Sequence, residues 1–95
     1  MIYISGKITG QDLNEARLKF EAAEKRIQQE GGCAVNPMAM IEVEEGKTWE
    51  QYMREAIRIM TECTEILMLE DWNESRGAKI EHAIAKTLKY KIRYQ

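Results

Sequence analysis

Ile2-Tyr3-Ile4 opens the chain as a short β-branched and aromatic run that ends at Ser5-Gly6, the signature of a first strand. The apolar spacing then lengthens. Leu13, Ala16, Phe20, Ala23 and Ile27 recur at three and four with Glu, Lys, Arg and Gln opposite, which predicts a helix from Gln11 to about Glu30. Gly31-Gly32 ends it, and Cys33-Ala34-Val35 reads as a brief, buried second strand. At Asn36-Pro37 the chain leaves the sheet, because proline has no N–H to give and keeps the preceding residue extended. Met38 to Lys47 reads as a loop that packs over something through Met38, Met40, Ile41 and Val43. Thr48, with Gln51 three residues on, has the form of a capping box. It opens a helix from Trp49 to Glu62 whose stripe of Trp49, Met53, Ala56, Ile57 and Met60 reads as core. Glu65 to Leu69 is nearly all apolar, as a central strand covered on both faces would be. A loop from Glu70 to Glu74, a helix from Arg76 to about Lys89 and a basic, edge-like strand Lys91–Tyr94 complete the chain.

The order βαβαβαβ predicts an α/β fold: a three-layer sandwich with a parallel sheet of four strands, or five, joined by right-handed crossovers with helices on both faces. Ligands in such folds bind beyond the C-terminal strand ends. The loops Ser5–Gly10, Asn36–Lys47 and Glu70–Ser75 are expected to meet there.

Composition narrows the function classes. Ninety-five residues make one domain, small enough for a homo-oligomer to be expected. The 44% hydrophobic and 32% charged content is that of a folded globular chain. A net charge of −2 with scattered Lys and Arg argues against a nucleic acid polymer as partner. No apolar run approaches the ~18 residues of a membrane span. The first residues carry no charged n-region or cleavage signal, so a cytoplasmic protein is expected. Cys33 and Cys63, thirty residues apart, read as buried free thiols rather than a disulfide or metal site, and no cofactor is called for.

Against that background one residue stands out. The last long helix groups Ala78, Ile84, Ala85 and Leu88 on one arc, and Glu81 falls near its middle. A carboxylate on an apolar arc costs several kcal/mol (about 2–7 for a polar group) unless it is paired, protonated or open to a cleft. Glu81 is therefore either a general base or nucleophile, or a side chain satisfied by Tyr3, Ser5 or Lys7. Ser75 with the N–H groups of Gly77 and Ala78 offers an anion site at a helix start, or simply an N-cap. Ser5-Gly6-Lys7-Ile8-Thr9-Gly10 resembles a phosphate-cradling loop in kind, though it is equally an ordinary strand-to-helix turn. Arg76 faces ligand or solvent, Trp72 stacks on a base or lids the core, and His82 points away from Glu81.

The chain resembles the nucleoside 2-deoxyribosyltransferase-like proteins over nearly its whole length. The likeness rests on Ile2-Tyr3-Ile4-Ser5-Gly6 with Ile8-Thr9-Gly10, Asn14 with Phe20, and Val35-Asn36-Pro37. It continues in Trp49 with Tyr52-Met53-Arg54, Cys63, Ile66, Trp72, and Ser75-Arg76-Gly77-Ala78 with Glu81. The likeness is to a compact branch related to the deoxynucleoside 5′-monophosphate N-glycosidases. It implies a single domain over residues 1–95, a flavodoxin-like or Rossmann-like sheet, a nucleoside or nucleotide ligand, and a site shared between subunits of a homo-oligomer. The glutamate matching Glu81 is the nucleophile of those relatives, forming a covalent 2-deoxyribosyl ester. Ser75 would contact the 5′-hydroxyl or phosphate. The substrate-binding residues expected on this reading are Tyr3, Ser5, Gly6, Lys7, Ile8, Thr9, Gly10, Asn36, Pro37, Met38, Trp72, Ser75, Arg76, Gly77 and Ala78. Four positions depart from the pattern: Ala56 and Thr64 stand where relatives carry aspartates, and Glu70-Asp71 where they carry Pro-Gly. Losing the acid at position 56 would lower the rate by ~10²–10⁴, the usual size of general acid catalysis.

Overall fold

A computed structural model describes all residues from Met1 to Gln95. Four strands, β1 (Ile2–Ser5), β2 (Ala34–Val35), β3 (Glu65–Met68) and β4 (Lys91–Tyr94), form one sheet in the order β2-β1-β3-β4. Every pairing is parallel, with Tyr3 beside Val35 on one side and Ile66 on the other. Helix α1 (Leu13–Gln29) joins β1 to β2, α3 (Trp49–Met60) precedes β3, and α4 (Arg76–Thr87) joins β3 to β4. From β1 the chain turns to β2 on one side and from β3 to β4 on the other, so the crevice of an open α/β sheet falls between the ends of β1 and β3. No helix is long and apolar enough to cross a membrane.

Two cores flank the sheet. Strand alternation sends Ile2 and Ile4 to one face, where Phe20, Ala23 and Ile27 of α1 and Leu69 meet them. Tyr3, Ile66 and Met68 face the other way and pack with Met60, Cys63, Ala78 and Ala85. The helices are closed as their ends require. Asp12 accepts from Glu15 N–H at the start of α1. Thr48 and Gln51 complete the reciprocal capping box of α3.

Several expectations are corrected. The segment after Asn36 opens as a helical turn, α2 (Pro37–Met40), because the Asn36 side chain accepts from Met38 N–H and Pro37 takes the first helical position. Cys33 is exposed, since the ladder begins only at Ala34; Cys63 is buried, and both thiols are free. Leu13, the first residue of α1, and Leu88, the C-cap of α4, are exposed. The stripe of α3 buries only Met60 completely.

Candidate functional site

Tyr3 and Ser5 lie two residues apart on β1 and so share the face turned towards α4. Glu81 stands one turn after Ala78 and one turn before Ala85, both buried, so α4 carries it into the same layer. The Tyr3 hydroxyl donates to Glu81 Oε2 at 2.6 Å and Ser5 Oγ donates to Oε1 at 2.7 Å. Glu81 is 5% exposed and takes part in no ion pair. Burial raises its pKa above the ordinary carboxyl value, against the pull of the two hydroxyl bonds. Burial and then the Glu81 charge push the Tyr3 phenol well up. With one bond to each oxygen, the carboxylate is oriented yet keeps acceptor capacity for a further group.

This carboxylate opens into a cavity of about 400 Å³ at the C-terminal end of β1. That volume lies within the range of small-molecule sites. Of the residues expected to bind substrate, Tyr3, Ser5, Gly6, Ile8, Thr9, Gly10, Pro37, Met38, Ser75, Gly77 and Ala78 line it together with Glu81. Gly6 serves packing rather than ligand approach, because a Cβ there would meet the Leu69 side chain at 2.7 Å. Gly10 supplies a positive φ of 80° for the turn into α1. Ser75 Oγ accepts from Ala78 N–H at 3.1 Å, so that N–H serves the helix cap and is not an open donor.

Four expected residues lie outside the cavity. The Lys7 ammonium points to Glu74 at 3.9 Å, and its own N–H donates to Asp71 Oδ1 at 3.1 Å. Lys19 draws the loop down further, donating to the Lys7 carbonyl at 2.9 Å, to Gln11 Oε1 at 2.7 Å and to the Asp71 carboxylate. The loop is thus pinned to the segment after β3 through Lys7, whose N–H is taken by Asp71. Burial pulls the Asp71 pKa up, but the bonds from Lys19 and Lys7 and the Lys19 charge outweigh it and hold the carboxyl low. Asn36 caps α2 and donates to Glu24 at 3.3 Å. Trp72 stacks on His82, with ring centroids 4.2 Å apart, and packs against the core beside Tyr94. Arg76 lies over the Trp49 ring at 4.3 Å, outside the cavity that Trp49 helps to line.

The sequence model of a domain of unknown function, DUF4406, matches residues 1–94. The chain belongs to the DUF4406 family. No curated protein and no solved structure matches it.

The DUF4406 cavity also has a wall that periodicity misassigns. Trp49, Tyr52, Met53 and Ala56 of α3 line it, together with Leu13, Arg17 and Phe20 of α1 and Ile41 and Val43 beyond α2. An apolar helix face looks the same in sequence whether it covers a core or a pocket. The distinguishing sign is an aromatic-rich stripe in a helix that follows a long loop. Glu81 is the only carboxylate on the cavity wall. Glu55 is held by Lys47 at 2.7 Å, and Asp71 by Lys19, so neither takes the place of an acid at Ala56.

Proposed function

We propose that this chain cleaves or transfers the N-glycosidic bond of a deoxynucleoside or its monophosphate, with Glu81 as the nucleophile. The observation that carries this reading is the Glu81 carboxylate, buried without a cation, held by Tyr3 and Ser5 and open to a cavity of small-molecule size. The resemblance to the nucleoside 2-deoxyribosyltransferase-like proteins supplies the reaction class. In that reaction a Glu81 oxygen forms a bond to the anomeric carbon while the carbon–nitrogen bond breaks. Its electron pair leaves with the base nitrogen, which takes up a proton. Water, or a second base, then attacks the same carbon and releases Glu81 as a carboxylate. The apolar, aromatic wall of Trp49, Tyr52 and Met53 suits a planar base. The hydroxyls of Tyr3 and Ser5 keep the nucleophile in one orientation throughout.

With no second carboxylate on the wall, the leaving base takes its proton from water entering through the cavity mouth. The same lack favours a second reading, a binding protein that keeps the nucleotide pocket without turnover. One experiment separates the two. The protein is incubated with each deoxynucleoside and its 5′-monophosphate, and free base is measured by chromatography beside thermal stability. The enzyme reading expects base release that Glu81→Ala abolishes. Stabilisation by ligand without base release supports the binding reading. Neither release nor stabilisation across the panel overturns both.

A further inference from the structure

Arg17 is the one cation on the cavity wall, and it is unengaged. It lies on the exposed side of α1 and makes none of the ion pairs, cation–π contacts or side-chain hydrogen bonds that occupy its neighbours. The other nearby cations are committed elsewhere: Lys7 towards Glu74, Lys19 to Asp71 and Gln11, and Arg76 to the face of Trp49. Glu81, the cavity's only carboxylate, reaches the site from α4 on the opposite face of the sheet from α1.

We infer that Arg17 is a specificity-determining residue that selects a ligand carrying a phosphate, so that the preferred substrate is a 5′-monophosphate rather than a free nucleoside. The inference rests on the proposed nucleoside chemistry of this site. A ligand with an anionic end cannot place that end beside Glu81, because two like charges in a poorly solvated cavity repel strongly. It must turn its anion towards a cation, and Arg17 is the one available. A guanidinium also matches the geometry of phosphate oxygens with paired N–H donors. The same arrangement orients the ligand, with its phosphate towards α1 and its sugar towards Glu81. The helix start at Ser75 is the rival anchor: its Ala78 N–H is used by Ser75 Oγ, its Gly77 N–H is not, and it carries no full charge to match that of Arg17.

The test is calorimetric titration of the Glu81→Gln chain, in which no glycosyl transfer consumes the probe, with 2′-deoxynucleosides and their 5′-monophosphates. The monophosphate is expected to bind about tenfold or more tightly than the nucleoside, the usual size of a hydrogen bond to a charged group. Adding Arg17→Ala should remove that advantage and leave nucleoside affinity within about twofold. Added salt should erode it as well. With Glu81 intact, where the probe is consumed, the same preference is read as the ratio of kcat/KM for base release from monophosphate and nucleoside; Arg17→Ala should lower that ratio about tenfold, and an unchanged ratio overturns the assignment. A preference that survives Arg17→Ala overturns the assignment and moves the anchor to Ser75. Equal binding of the two probes overturns it and leaves the nucleoside reading standing. Binding of neither removes both.

Discussion

Two carboxylates sit at the C-terminal end of this sheet and are handled in opposite ways. Asp71 is met by the Lys19 ammonium and the Lys7 N–H, and its proton affinity falls. Glu81 is more deeply buried, is met only by the neutral hydroxyls of Tyr3 and Ser5, and its proton affinity rises. The first arrangement satisfies a charge and fixes a loop. The second keeps a carboxylate basic, oriented and open to a cavity, at a cost to stability that no neighbouring cation offsets. Neutral donors alone would serve a structural carboxylate as well; it is the opening of Glu81 into the cavity that fits the proposed role of nucleophile.

Exchanging the two residues should separate activity from stability. Glu81→Gln is expected to abolish base release, a loss of about 10⁴-fold or more for removal of a nucleophile, while keeping the thermal midpoint at neutral pH or raising it. Asp71→Asn should leave base release within about threefold, since Asp71 does not line the cavity, and should lower stability. Chromatographic assay and thermal melts on both variants would break the comparison if the roles came out reversed.

Tyr3→Phe sharpens it further. Without the phenol, Glu81 Oε2 loses its donor and the carboxylate becomes harder to ionise. On the rising limb of the pH–rate profile the rate should fall about tenfold, the limb moving to higher pH, as expected for a lost bond to a charged group. An unchanged limb would mean that the bond does not set the basicity of Glu81.

The Lys19–Asp71 pair is smaller in effect. Removing either partner should cost about 1–2 kcal/mol in urea denaturation. The double variant should cost less than the sum, because the pair and the loop it pins are one unit. Full additivity would reduce the network to independent surface charges.

The smallest signal is in the pH dependence of stability, where the two acids have opposite signs. Glu81 binds its proton more tightly in the folded chain than in the unfolded one. Its contribution is therefore complete below the ordinary carboxyl value and is lost as pH rises through the raised native value. Asp71 releases its proton more readily when folded, so its contribution is complete above the ordinary value and is lost as pH falls through the depressed one. Glu81→Gln should flatten the upper limb and Asp71→Asn the acid limb in melts taken across pH.

Much of this was legible in the order of residues. Alternation in Ile2-Tyr3-Ile4-Ser5, the helical spacing from Leu13 to Ile27 and the apolar third strand suffice for a parallel α/β sheet. Glu81 could be singled out because a carboxylate on an apolar arc breaks a period. What could not be read was the destination of long side chains. Lys7 and Trp72 occupy segments that meet near the cavity, yet an ion pair turns one outward and stacking on His82 turns the other towards the β4 side. The α3 stripe failed for a different reason: burial against a ligand and burial against a core make the same demand on sequence, and only the placement of α3 beside the end of β1 tells them apart.

The most direct test is mass spectrometry of the protein quenched during incubation with deoxynucleoside 5′-monophosphates. A deoxyribosyl phosphate adduct on the peptide bearing Glu81, absent from Glu81→Gln, is the result this mechanism requires. Release of free base from a chain whose Glu81 never carries the sugar, under conditions that trap esters, would contradict it.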